Sequence, residues 1–506
     1  MTDSSTASVA SSTGSVQAAS RFAPLQVVIL LVLLAAGGVH EARKLSALAS
    51  PDIWRHLSAG AWILTNHAVP HNLIFSQSNQ LPWIDSSWLF DVKTAMAVKL
   101  FGLRGLVWLD MTVGLAIAVA IFLLARGSRH GFWAGTLLTA IALYLISSGP
   151  LRSSIVSILL FAVVLTVITL ARTTGSPRLL YWLPPLFLLW ANLDIQFVYG
   201  LGTLLLLLIA DTVGFLASES AGSWFVSRGR IPLPTTAVIA AASILATLCN
   251  PYAYRLWGAA LRSVSLFSAD PYFPEMHALR FRQPQDYVLL LLVMTAFFAL
   301  GRRHARDLFS LFLLSACSIV SFHLQRDTWL VALAAVAVLS QALDAADSDE
   351  ARNSNPAAAL WVLPAGIAAA LVVLMMAFAV RVPSARDVLL AKVSEKFPVR
   401  ASDYIRQHDL PKPLFNNYDW GSFLTWYLPE YPVQMDTRTD SYGEELTLGY
   451  FNVTTGQVPL AADPALSHSQ TILLEADSEM GKALSILPGY KQVYLDDQAR
   501  VLVREN

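Results

Sequence analysis

Long apolar runs broken by short polar intervals dominate this chain. They fall at 23–39, 105–125, 131–148, 154–172, 180–194, 197–217, 232–248, 285–301, 306–323, 328–346 and 358–380. Their lengths suit a hydrocarbon core of about 30 Å. The pattern predicts an all-α polytopic membrane protein with about eleven transmembrane helices over 23–380. The segment 86–103 is also apolar but carries Asp91, Lys93 and Lys99. It reads as an amphipathic helix lying on the outer surface. Beyond 380 the pattern changes. Ser402–His408 reads as helix, and Pro432–Met435, Tyr490–Leu495 and Gln498–Val503 read as strands. A small soluble α+β domain over 381–506 follows. Residues 1–22 are mostly small and polar, and read as a disordered tail. The small residues Ala35-Ala36-Gly37 also suit a cleaved signal peptide. An uncleaved first span is expected instead, because cleavage would leave the following loop without its anchor.

Composition agrees. Only 14% of residues are charged, against about 25% in soluble proteins. The formal net charge of +0 gives no electrostatic footprint for nucleic acid. Cys249 and Cys317 lie in or beside apolar runs and read as small core residues.

Basic residues favour cytoplasmic loops. With the N-terminus inside, Arg126 and Arg129, Arg172 and Arg178, Arg228 and Arg230, and Arg302-Arg303-His304-Ala305-Arg306 all fall inside. The tail then lies outside. So do the loops 40–104, Gly149–Ser153, Asn192–Gln196, 249–284 and His323–Asp327. These loops hold most of the chemically useful side chains. The chain shows no internal repeat and no paired broken helices of the kind transporters use.

The first outer loop carries Asp52-Ile53-Trp54-Arg55-His56, then Trp62 and Trp83. Asp52 and His56 stand four apart and share a helix face. An acid beside an imidazole suits a metal or an acceptor hydroxyl. Asp52 as a plain N-cap is the alternative. Arg152 and Arg326 are outer-face cations whose planar forks suit phosphate. For Arg152, a lipid headgroup is the alternative. Asp194 would lie near membrane depth, where an acid is costly, or would cap a turn with Asn192. Glu275 and His277 are two apart, which alone does not make a metal site. The tail carries Asn417-Tyr418-Asp419-Trp420-Gly421 and then Asp436-Thr437-Arg438-Thr439-Asp440. These fit either a site or a set of Asx turns and caps.

This layout resembles the GT-C superfamily of membrane glycosyltransferases, above all the catalytic subunit of oligosaccharyltransferase. Asp52-Ile53-Trp54-Arg55-His56 resembles its first-loop segment, without the Pro. Asn417-Tyr418-Asp419-Trp420-Gly421 followed by Val433-Gln434-Met435-Asp436 is similar in order and spacing to its outer-domain motif, without the double Trp. Glu275 falls where that family places a late-loop acid. The chain also resembles, over nearly its whole length, bacterial membrane proteins that pair Asp-x-Trp-x-His with Tyr-Asp-Trp-Gly and Asp-x-Arg-Thr-Asp.

The resemblance implies a bacterial inner-membrane enzyme with a cytoplasmic N-terminus and an extracytoplasmic tail domain. It would move a sugar from a polyprenyl-phosphate donor. Asp52, His56 and Glu275 would be catalytic. Trp54, Arg55, Arg152, Asp194, Arg326, Asp419, Trp420, Asp436 and Arg438 would bind substrate. A divalent metal, Mg or Mn, would sit at Asp52 and Glu275 if anywhere. The partners are lipid and lipid-linked sugar, not nucleic acid. The alternatives are a non-catalytic envelope protein that binds a lipid-linked glycan or a partner, and a lipid or polysaccharide transporter.

Overall fold

The computed structural model describes residues 46–126, 132–146, 152–220, 231–263, 276–302, 307–347, 386–460 and 464–505. The first expected span, 23–39, and the last, 358–380, lie outside them.

Two helices of the first loop come first, α1 (Pro51–Asn66) and α2 (Trp88–Phe101). The bundle follows with α3 (Arg104–Arg126), α4 (Phe132–Ile146), α5 (Ser154–Thr174) and α6 (Leu183–Leu193). It continues with α7 (Phe197–Ser220), α8 (Leu233–Thr247), α9 (Arg255–Ser263), α10 (Pro284–Gly301), α11 (Leu308–His323) and α12 (Thr328–Asp347). Among the described residues, 5 helices are long and apolar enough to cross a membrane: Arg104–Arg126, Ser154–Thr174, Phe197–Leu216, Pro284–Gly301 and Gln325–Leu343. Shorter apolar helices lie at Ala134–Ile146, Leu233–Thr247 and Leu308–His323. The chain is an integral membrane protein. The run at 180–194 divides into a 3₁₀ stretch, Pro177–Trp182, and α6, because Pro184 and Pro185 confine the helix to starting there.

Helix α12 forms the middle of the bundle. Every residue from Leu330 to Val338 is buried, as expected for a helix apolar on all sides. Arg172 of α5 clamps Asp307 before α11 with both guanidinium nitrogens, at 2.7 and 3.1 Å. Both side chains are buried and bound to each other through two hydrogen bonds, so the pair reads as a structural tie between helices.

The tail begins with α13 (Arg386–Val393) and α14 (Val399–Gln407). It then holds β1 (Leu414–Asn416), α15 (Tyr418–Tyr427), β2 (Thr471–Glu475), β3 (Tyr490–Leu495) and β4 (Ala499–Arg504). The sheet order is β1-β2-β4-β3. β1 runs parallel to β2, and the other two pairings are antiparallel. Pro432–Met435 does not form the expected strand. Val433 instead makes a single bridge to Ser76, with Gln77 N–H donating to Val433 O at 3.0 Å and Val433 N–H donating to Phe75 O at 2.9 Å. The segment satisfies its backbone on the first loop and on the Asn416 side chain of β1, which accepts from Gln434 N–H at 2.8 Å and donates to Met435 O at 2.9 Å.

Helix α1 is the pivot. On one side it meets α2, where a Cβ on Gly60 would fall 1.9 Å from the Asp91 carbonyl oxygen. Only glycine permits that approach. On the other side it meets α15, where Ser58 Oγ and Thr425 Oγ1 share a hydrogen bond of 2.9 Å. Helix α2 is therefore not a free surface helix. It buries Phe90, Asp91, Thr94 and Ala95 and exposes Met96, Leu100 and Phe101.

Candidate functional site

Helix α1 opens at Pro51, whose fixed φ and missing N–H suit a first turn. Ser50 occupies the N-cap position, so Asp52 sits inside the first turn near the positive helix end. Asp52 and Arg55 are both half-buried and one turn apart. His56, behind them, is fully buried.

The environment of His56 is specific. Its Nδ1 lies 2.6 Å from Asp91 Oδ1. Ser87 Oγ donates to the same oxygen at 3.2 Å. Arg55 Nη2 lies 3.1 Å from His56 Nε2. A guanidinium can only donate, so Nε2 accepts and the ring proton is on Nδ1, donated to Asp91. Phe90 meets the ring edge-on at 4.9 Å. Burial, then the charge of Arg55, holds the imidazole down to about 3, so it stays neutral.

Two acids stand behind it. Burial pushes the Asp91 carboxyl up to about 7. Burial and the charge of Asp91 push Asp85 up as well. The two carboxyls share a hydrogen bond that raises Asp85 and lowers Asp91, and beyond each other the Oδ2 atoms meet no partner. Asp52, Asp85 and Asp194 all act on His56 through their charge. Asp194 is buried, accepting from Ser157 Oγ at 2.6 Å and from Gln196 N–H at 3.0 Å. Gln196 also donates to Asp327 at 2.8 Å, and Tyr199 Oη donates there at 2.5 Å. This polar chain joins the α6–α7 hinge to the turn before α12.

The expected roles divide. Asp52, Arg55, His56 and Asp194 come together. His56, expected as a catalytic partner of Asp52, is engaged at both ring nitrogens and out of reach of a substrate. Trp54 is fully buried among Phe397, Phe423 and Trp426, stacked on the last at 4.6 Å. It offers no face to a sugar. Trp420 is buried too, with Nε1 donating to Lys396 O at 3.1 Å. Asp419 is exposed, near Glu475. Asp436 and Arg438 are buried and bound to each other, at 2.5 Å for the shortest contact. Arg438 also donates to Ile74 O at 2.8 Å and lies 4.8 Å over the Trp83 ring. The pair fastens the tail to the first loop. Arg152 is half-buried ahead of α5. Arg326 is half-buried, its Nε 3.5 Å from Asp327. Glu275 lies outside the described residues.

Asp85, Ser87, Asp91 and Asp327 escaped the sequence reading. The signal for Asp91 was available. It falls on the same helical face as Thr94, Ala95 and Val98, an acid inside an apolar stripe.

Of the two residues expected to hold a divalent cation, Asp52 is half-buried at the first turn of α1 and Glu275 lies outside the described residues. Such ions take charged oxygens in six-fold or higher coordination. Burial drives Asp85 and Asp91 toward their neutral forms, and Asp52 is half-buried. Among the described residues, no three His, Cys, Asp or Glu side chains are placed to hold a metal. No step is derived through one.

No protein-family model and no curated protein sequence matches this chain. Solved structures do match. The oligosaccharyltransferase AglB from Archaeoglobus fulgidus, in complex with an inhibitory peptide and a dolichol-phosphate, is similar with a TM-score of 0.52. It shares 11% identity over 90% of this chain and 70% of that one. An oligosaccharyltransferase from Archaeoglobus fulgidus in the apo form gives 0.50 at 12% identity over 92% and 71%. ArnT from Cupriavidus metallidurans bound to undecaprenyl phosphate gives 0.48 at 16% identity over 94% and 97%. At this identity the likeness to AglB shows a shared fold and nothing more.

Proposed function

We propose that this protein is a membrane glycosyltransferase that takes a sugar from a polyprenyl-phosphate donor and passes it to an acceptor on the extracytoplasmic face. In this reading the chain crosses the bacterial inner membrane about eleven times. Its N-terminus is cytoplasmic, and the tail is an α+β domain outside. The observation that carries the proposal is the pairing of Asp52 and Arg55 on one turn of α1, both half-buried, in front of a neutral buried His56. A carboxylate and a guanidinium side by side at an edge suit a hydroxyl and a phosphate ester. The archaeal structural neighbour was solved with dolichol-phosphate, which supports a lipid of that class.

Asp52 takes the acceptor hydroxyl proton as the acceptor oxygen bonds to the anomeric carbon. The bond from that carbon to the phosphate oxygen breaks. Its electron pair leaves with the polyprenyl phosphate, whose charge Arg55 offsets. Arg152 and Arg326 add positive charge on the same side. The tail, fastened to the first loop through Asp436 and Arg438, holds the acceptor side with Asp419 at its surface.

Binding tests the donor class. The purified chain in lipid nanodiscs is titrated with undecaprenyl phosphate and with undecaprenol. A preference of about tenfold or more for the phosphate is expected from one charge-assisted contact. Equal affinity for the two lipids would count against the reading.

A further inference from the structure

Among the described residues, the half-buried Arg55 differs in one respect from the buried Arg172 and Arg438. Arg172 is met by Asp307, and Arg438 by Asp436, each through two carboxylate oxygens. Arg55 is met by an imidazole nitrogen. Among the described residues no carboxylate is seen in direct ion-pair contact with it, and the charges of Asp85, Asp91 and Asp436 reach it only from farther off. A carboxylate partner fixes a guanidinium and cancels its charge. A neutral acceptor fixes the guanidinium and leaves the charge for something else.

We infer that His56 and Asp91 are positioning residues for Arg55, a neutral strap that aims its guanidinium at the substrate phosphate without neutralising it. The inference rests on the proposed reading of Arg55 as the phosphate-binding group. The geometry supports each link. Asp91 Oδ1 accepts a hydrogen bond from Nδ1–H at 2.6 Å, which leaves the Nε2 lone pair facing Arg55. Ser87 Oγ, at 3.2 Å, steadies the same oxygen. Phe90 closes on the ring edge-on and holds its plane. Gly60 lets the α2 backbone lie against α1 at Asp91 itself, so the strap spans two helices. A buried histidine serving only to fill space would not end its chain of bonds on a half-buried cation at the rim. Rigid placement of that cation before binding lowers the ordering cost of association.

The test uses the full chain in nanodiscs, with undecaprenyl phosphate and undecaprenol as probes and the melting temperature as a fold control. His56→Asn keeps an amide donor near the Nδ1 position but is too short to place an acceptor at the Nε2 position that meets Arg55. It is expected to lower undecraprenyl phosphate affinity by about tenfold, the loss of one charge-assisted bond, with undecaprenol binding unchanged. In an Arg55→Ala background the same change should have no further effect, because a strap without its arginine has nothing to aim. Asp91→Asn still accepts the Nδ1 proton and should recover most of the affinity that Asp91→Ala loses. The inference is overturned if His56→Asn binds the phosphate lipid as the native chain does. It is equally overturned if both lipids weaken together, or if the Arg55 and His56 losses simply add. A native chain without phosphate preference would instead sink the proposed function.

Discussion

Asp436→Asn is expected to destabilise the folded protein by about 3–5 kcal/mol, the cost of leaving a buried charge without its partner. Arg438 is held almost entirely by this one acid. Its backbone N–H donates to Asp436 Oδ1 at 2.9 Å, Nε to both oxygens at 3.0 and 3.1 Å, and Nη2 to Oδ2 at 2.5 Å. Both side chains are buried, so water cannot replace the lost charge. Burial alone would raise the Asp436 carboxyl. The charge and hydrogen bonds of Arg438 outweigh this and hold it below the usual carboxylate range. A depressed acid contributes stability that is full above its unfolded value of about 4 and is lost as pH falls through the folded value. Native protein should therefore weaken on acidification below about pH 4 through this pair, and Asp436→Asn should lack that component. Denaturant melts of the two proteins across pH 2–7 measure both effects. A loss under about 1 kcal/mol would show that the pair is solvated, as exposed pairs are.

Arg55→Ala carries the second large effect, on binding. A hydrogen bond to a charged group contributes about 1.5–3 kcal/mol, so undecaprenyl phosphate affinity should fall roughly ten- to a hundredfold. Undecaprenol affinity should not move. Arg55→Lys should recover part of the loss, since it keeps the charge but not the planar fork. Titration of the three proteins with both lipids decides the matter. Unchanged phosphate binding in Arg55→Ala would transfer the role to Arg152, Arg326 or another cation.

The helical skeleton was legible because apolar runs of span length have few other uses. The runs at 105–125, 154–172 and 285–301 match α3, α5 and α10 within a few residues. Tyr490–Leu495 was read to the residue. The missed strands, Leu414–Asn416 and Thr471–Glu475, are short and wholly or mostly buried. A short apolar run without alternation does not separate strand from helix.

The site was legible as a group of residues but not as roles. Asp52, Arg55 and His56 drew attention by their crowding. Nothing local showed that His56 would turn inward, since its partner Asp91 stands 35 residues away. Asp91 read as a surface charge because acids on short helices usually face water. Trp54 and Trp420 were visible as aromatics, while their burial depends on α13, α14 and α15 folding around them. Asp436 and Arg438 stood out as a charged pair in a turn. That they satisfy each other follows from the docking of Ile74 and Trp83, over 300 residues earlier, which closes water out.

The central claim rests on Asp52 as the base of a sugar transfer. The most direct measurement gives native protein and Asp52→Asn, both in lipid, a panel of polyprenyl-phosphate sugars and follows the release of polyprenyl phosphate. The account predicts turnover by the native chain and a loss of at least about a hundredfold in Asp52→Asn with the melting temperature retained, the usual scale of general base catalysis. Equal turnover by the two proteins, or saturable donor binding by both with no turnover by either, would contradict it.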